Sequence, residues 1–271
     1  MTSRQFSLMR EVLQAEAGGP EGRVSDRLLR EAPSGNSLRP ALQRALLDSR
    51  TALVGRTQDG APWGFRVGQG SPAHLLISGP TGCGKSELLR TCLVSLCWST
   101  SPQALGVLAI DPSGRQLGMI EGLPHALLEP VIEARRAAAL LAWLVDEVRL
   151  RQLAGGSPTQ VVLAVEDLAP WKEHAALQAS LGWLRRFGGP AGMHVLQIRS
   201  PRGATEAIAE PDTRLACGQR RPGDFLIFDP SGVLPIRALW LPVRDLVSCL
   251  DEIRQSAWLA GTTSTVQGRV E

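Results

Sequence analysis

The sequence predicts an α/β fold: a mainly parallel sheet with helices on both faces, preceded by a small helical lead-in. Four runs, His74–Ser78, Leu105–Ile110, Val161–Val165 and His194–Ile198, are apolar nearly throughout. Strands buried on both faces read this way, because neither side may stay polar. Helical runs alternate with them, which is the pattern of βαβ units. Polar groups gather just past the strand ends: a glycine-rich loop after Ser78, Asp111, Glu166-Asp167 and Arg199. In open α/β sheets ligands collect at the carboxyl ends of strands, so this placement also locates the expected site.

The elements follow in order. Residues 1–50 read as short helices, with Phe6, Met9, Val12 and Leu13, and then Leu38, Leu42, Leu46 and Leu47, at helical spacing. Glycine- and proline-rich breaks separate them. Residues 52–67 read as a hairpin about the turn Gln58-Asp59-Gly60. A long helix is expected from about Glu133 to Leu153. Leu140, Leu141, Leu144, Val145 and Val148 form its apolar stripe, and Arg135, Arg136, Arg149 and Arg151 lie among its polar positions. A further helix is expected from about Trp171 to Phe187. Phe225–Phe228 and Leu234–Trp240 read as an antiparallel pair, followed by a helix from about Arg244 to Leu259. The expected organisation is a lead-in over 1–50, the main α/β domain over 51–260 and a disordered polar tail over 261–271.

The loop after the first buried strand is Gly79-Pro80-Thr81-Gly82-Cys83-Gly84-Lys85-Ser86, which fits G-x-x-x-x-G-K-[ST], the phosphate-binding P-loop. Strand before it and helix after it are the context the motif requires. Its glycines let successive backbone N–H groups turn inward around an anion. The following helix adds its positive end. Lys85 would reach the β- and γ-phosphates of ATP, and the Ser86 hydroxyl would ligate Mg²⁺. The chain holds two lysines, Lys85 and Lys172, against 27 arginines. A compact ammonium therefore stands where a phosphate cradle suits it.

An ATPase of this kind needs a carboxylate at another strand end for the metal, and commonly a neighbour that positions water. Glu166 and Asp167 supply the pair, in the order Glu then Asp where Asp then Glu is common. Two readings stand. Either Glu166 takes the metal side and Asp167 the water side, or the site binds ATP and hydrolyses it poorly, since aspartate is one methylene shorter. Asp111 is read equally as a residue near the metal or as a turn residue. Arg199, Arg202, Arg214, Arg220 and Arg221 make a basic C-terminal third that suits an arginine finger, a phosphate backbone or plain solvent. His74, His125, His174 and His194 lack metal-ligand spacing and read as structural.

Composition is that of an ordinary globular chain, 44% apolar and 20% charged, and a net charge of +3 is too weak to argue nucleic-acid binding alone. Tyrosine is absent, so stacking platforms for bases are scarce. Five cysteines without CxxC spacing read as thiols in a reducing compartment. No signal peptide and no apolar run long enough to span a bilayer are recognised, so a cytoplasmic location is expected.

With these residues in view, Leu53 to Leu250 resembles the motor domain of FtsK/SpoIIIE-type DNA translocases. His74–Ser86 resembles the family's "HLL(I/V)AG-TGSGKS", Ile110-Asp111-Pro112 its "IDPK", and Gly122–Leu127 its "G-PHLL". Gly192–Leu196 resembles "GIHLVLATQRP", Asp212–Ala216 "PTRIA", and Gly223–Leu226 "GDML". The resemblance implies a RecA-like P-loop core, ATP and Mg²⁺, and a homo-oligomer, possibly a ring, on double-stranded DNA. Relatives in conjugation and secretion use the same core on partner proteins or at membranes. The chain departs from the pattern at its inverted acidic pair and at Gln197-Ile198-Arg199-Ser200-Pro201. Its short segment between Ala216 and Gly223 omits a serine–arginine pair that in the family serves between subunits.

Overall fold

The computed structural model describes residues 36–45, 47–68, 74–155, 159–199, 213–217, 221–229 and 232–267, with side chains as far as residue 257. The sequence reading of residues 1–35 lies outside the described residues. The elements are α1 (Leu38–Arg44), β1 (Thr51–Thr57), β2 (Pro62–Arg66), β3 (Leu75–Ser78), α2 (Lys85–Ser99), β4 (Leu105–Ile110), α3 (Ala134–Leu153), β5 (Gln160–Val165), α4 (Ala175–Phe187), β6 (Met193–Arg199), β7 (Thr213–Cys217), β8 (Asp224–Asp229), β9 (Gly232–Ala238) and α5 (Val243–Gln267).

One nine-stranded sheet runs in the order β2-β1-β9-β8-β7-β3-β6-β5-β4. The five strands from β7 to β4 are parallel, and those from β2 to β8 pair antiparallel. Alternate residues of the parallel strands feed two cores. Leu75, Ile77, Val162, Ala164, Leu196 and Ile198 pack with α1, α2 and α5. Val161, Leu163, Val165, Met193 and Val195 pack with α3 and α4. That division is what an all-apolar strand demands: a helix layer on each side. The β1–β2 hairpin, the parallel strands and the β8–β9 pair all form where the sequence places them.

Several details differ from expectation. β7 is a strand that the sequence reading did not mark. Its pattern, Thr-Arg-Leu-Ala-Cys, is short and half polar, yet it joins β3 on one side and β8 on the other. It is thus the seam between the parallel and antiparallel parts. The helix expected from Trp171 begins at Ala175, because Pro170 sits in a 3₁₀ turn, Ala169–Trp171, that ends before it. Arg151 is not at a polar position of α3. It is 4% exposed, pairs with Glu147 at 2.8 Å, and donates to the carbonyls of Thr159 (2.9 Å) and Ala191 (3.3 Å). A buried guanidinium is tolerated when its donors are spent in this way. Finally, α5 continues through Gln267, into the stretch read as a polar tail; residues 268–271 lie outside the described residues.

Candidate functional site

The glycine loop lies between β3 and α2, at the carboxyl end of the parallel strands. Gly79 has φ 149°, and a Cβ there would lie 2.5 Å from the Cys217 Cβ and 2.9 Å from the Cys83 sulfur. Only glycine fits that approach. Gly84, the N-cap of α2, is left-handed at φ 102° and offers no side-chain cap. The first N–H groups of a fifteen-residue helix are therefore left for an anion rather than capped. Pro80, Thr81 and Gly82 are exposed and form the open rim. Lys85 is 8% exposed, and its ammonium donates across the loop to the Pro80 carbonyl at 2.9 Å. The charge so held stands over the cradle.

The second half of the site comes from β5. In the sheet, β6 lies between β3 and β5, and Gln197 of β6 is level with Leu76 and Val165. Glu166, one residue past β5, is 6% exposed, and the nearby Ser86 hydroxyl favours its charged form. Its Oε2 accepts the Asp167 N–H at 3.2 Å, and its Oε1 is buried with no partner. Burial pushes the Glu166 carboxyl above the ordinary carboxylate range. The Ser86 hydroxyl and the Asp167 N–H oppose this, the Asp111 charge adds to it, and Arg90 opposes it. A buried carboxylate oxygen without a donor is costly unless a cation meets it. With the Ser86 hydroxyl beside it, the oxygen set fits a hard divalent ion such as Mg²⁺.

The neighbouring carboxylates are arranged differently. Asp167 is half-buried, and its Oδ1 accepts the Ala169 N–H at 3.0 Å, bracing the 3₁₀ turn after β5. Asp111 is fully buried. Its Oδ1 accepts the Ser113 N–H (3.1 Å) and hydroxyl (2.7 Å), and its Oδ2 accepts the N–H groups of Gln116 (2.6 Å) and Leu117 (3.0 Å). Of the two sequence readings for Asp111, the turn residue is the one the geometry shows. Gln197 is 5% exposed with its Oε1 unpartnered, between the cradle and Glu166. Arg214 donates to the Ser78 hydroxyl at 3.3 Å and stacks over Phe228 at 5.6 Å, so it is held within the sheet. Arg202 and Arg220 lie outside the described residues. The histidines His74, His125 and His194 are buried, with ring nitrogens bonded to the Val195 N–H, the Thr100 carbonyl and Gln160.

Two features were not read from sequence. Arg90 is buried one turn into α2, paired with Glu87. Beside the cradle lies a pocket of about 230 Å³, lined by Asn36, Gly82, Leu88, Pro222, Arg237 and Trp240 among others. The indole N–H of Trp240 is buried without a partner. The lining comes from four separate stretches, so no local pattern could have disclosed it. A larger cleft, about 530 Å³, sits at the other end of α2 beside Thr100, His125 and Ile253, far along the helix from the cradle. It lacks the converging phosphate-binding donors and is not the site described here.

Residues 47–155 match the model of the FtsK/SpoIIIE family. The DNA translocase FtsK of Mycobacterium tuberculosis is 35% identical over 114 residues, which are 42% of this chain and 14% of that relative. The chain thus spans a small fraction of the length of the curated relatives it matches. Among solved structures, ATPases 2 and 3 of Thermomonospora curvata EccC in complex with a signal sequence peptide superimpose with a TM-score of 0.64 at 21% identity, covering 78% of this chain and 44% of that one. The pCW3 conjugation coupling protein TcpA, in a monomer form with ATPγS, gives 0.60 at 16% identity, covering 75% of this chain and 70% of that one. These likenesses establish the RecA-like P-loop fold. Among the described residues no helix is long and apolar enough to cross a membrane.

Proposed function

We propose, from the FtsK/SpoIIIE family domain that residues 47–155 carry, that this protein binds and hydrolyses ATP with Mg²⁺ and couples the cycle to movement of double-stranded DNA, acting as a homo-oligomer in the cytoplasm. One observation carries the catalytic half: Ser86 and Glu166, eighty residues apart in sequence, meet beside the cradle with a buried carboxylate oxygen to spare. Backbone N–H groups of residues 79–86 would hold the phosphates, and Lys85 would exchange the Pro80 carbonyl for a phosphate oxygen. Ser86 and Glu166 would hold the magnesium ion, which supplies neutralisation of phosphate charge when bound. Asp167 is the candidate for orienting water, through the carboxylate oxygen not engaged by Ala169. The pocket bounded by Leu88, Arg237 and Trp240 suits the base and sugar.

A second reading has its own support. Asp167 is one methylene shorter than glutamate and already braces a turn, which favours an ATP-binding scaffold of low turnover. A third, an ATPase acting on protein in secretion or conjugation, draws on the modest net charge of +3 and on the neighbours EccC and TcpA. ATP hydrolysis measured with and without duplex DNA separates them. DNA-stimulated turnover is expected. Binding without turnover would establish the scaffold, and turnover indifferent to DNA would favour a protein substrate. Lys85→Ala should abolish nucleotide binding or hydrolysis; unchanged affinity and turnover would remove the site itself.

A further inference from the structure

The cysteine at the centre of the cradle has a second cysteine against it. The sulfur of Cys83 and the Cβ of Cys217 crowd the same point beside Gly79, 2.9 Å and 2.5 Å from where its Cβ would stand. The two thiols are neighbours that influence each other's ionisation, and the Cys217 thiol donates to the Cys83 carbonyl at 3.6 Å. That carbonyl accepts the Gly223 N–H at 3.0 Å as well. The middle of the P-loop is therefore already tied to the end of β7 and to the turn before β8. Neither sulfur is in a disulfide.

We propose that Cys83 and Cys217 are an oxidative modification site: a peroxide joins them in a disulfide that stiffens the cradle and weakens nucleotide binding. The nucleotide half of this rests on the ATP reading above. The step balances. Whichever thiol meets peroxide first becomes a sulfenic acid with release of one water. The sulfur of the other then attacks it, forming the S–S bond and releasing a second water. The two thiols together lose two electrons and two protons, and the peroxide O–O bond takes them up. Selectivity comes from position. Cys92, Cys97 and Cys249 are at most 3% exposed, and burial pushes each thiol up to about 12. Cys217 is the one cysteine of the five that is partly exposed. Its thiol too is pushed up to about 12, by burial and then by Cys83, so acidity does not set Cys217 apart; its partial exposure and the adjacent Cys83 do. The consequence follows from the loop. An anion cradle works by aiming several amides at once, and a covalent strut from Cys83 to β7 removes the small rotations by which they adjust.

The test uses the full chain. After mild hydrogen peroxide, peptides mapped without reductant should contain a linked Cys83–Cys217 pair, reversed by dithiothreitol. The affinity for a fluorescent ATP analogue with Mg²⁺ should fall at least tenfold on oxidation and return on reduction. Cys217→Ser, with Cys217→Ala as a second variant, should bind like the reduced protein and ignore peroxide. Peroxide-treated protein without the linked peptide, or linked protein that binds as tightly as reduced protein, overturns the proposal. Reduced protein that binds no nucleotide overturns the ATP reading and the binding half with it, while the mapped bond is decided by the peptides alone.

Discussion

Two carboxylates stand at the ends of adjacent parallel strands, and they have opposite fates. Asp111 ends β4 and Glu166 ends β5, and both are buried. Asp111 receives four donors, three of them backbone N–H groups of the loop it organises. Glu166 receives one N–H beside the Ser86 hydroxyl, and keeps a buried oxygen unmatched. The first has no capacity left for a ligand; the second keeps a buried oxygen that could meet one. Hydrogen-bond accounting separates a structural acid from a candidate metal ligand where burial and strand position do not.

Substitution should cross over between them. The largest expected effect is on turnover. Glu166→Gln should lower Mg²⁺-dependent ATP hydrolysis by about 100-fold without lowering the thermal midpoint, because the amide relieves a buried charge. A Glu166→Gln protein that hydrolyses ATP normally would erase the contrast. The sign of its pH dependence is fixed too. The folded carboxyl is raised, so Glu166 costs stability at neutral pH, and the cost fades as pH falls through the folded value toward the ordinary carboxylate range. The stabilisation of Glu166→Gln over wild type in urea should shrink likewise.

Asp111→Ala should do the reverse. It strands three N–H groups and costs about 3 kcal/mol, lowering the thermal midpoint by roughly 10 °C, with nucleotide affinity nearly unchanged. Calorimetry and a binding titration on one preparation would check both. Asp167→Asn sharpens the comparison at the adjacent residue. The amide oxygen can still accept the Ala169 N–H, so stability and ATP binding should persist while turnover falls; a variant with wild-type turnover would remove Asp167 from the water side. The last effect shows only below neutral pH and concerns His74, whose ring nitrogen accepts the Val195 N–H. Burial, with His194 and Arg185 nearby, drops its pKa to about 3. It is satisfied only when neutral, so its contribution is intact above the ordinary histidine range and is lost as pH falls. The loss is about 1.4 kcal/mol for each pH unit below ~6.5. Urea denaturation at successive pH values should show a slope that His74→Gln reduces.

The contrast also marks how far the residues alone could be read. The P-loop was legible because its function is carried by backbone: three glycines, a lysine and a hydroxyl in fixed local order need no distant partner to be recognised. The parallel strands were legible because burial on both faces leaves an unbroken apolar run. Arg151 was misplaced because helix periodicity cannot anticipate that Glu147 and two carbonyls would consume its donors. The strand β7 was missed because five half-polar residues become a strand only when β3 and β8 flank them.

What the sequence determined by itself was the alternation of strand and helix, the anion cradle and the positions of the acidic candidates, all of which follow from local spacing and burial pattern. The tertiary structure decided which acid is spent and which is open. It brought Ser86 to Glu166 and Cys83 to Cys217, and assembled a pocket from Asn36, Leu88 and Trp240. Those are meetings between residues far apart along the chain, and only the stacking of strands in the sheet order brings them within hydrogen-bonding reach.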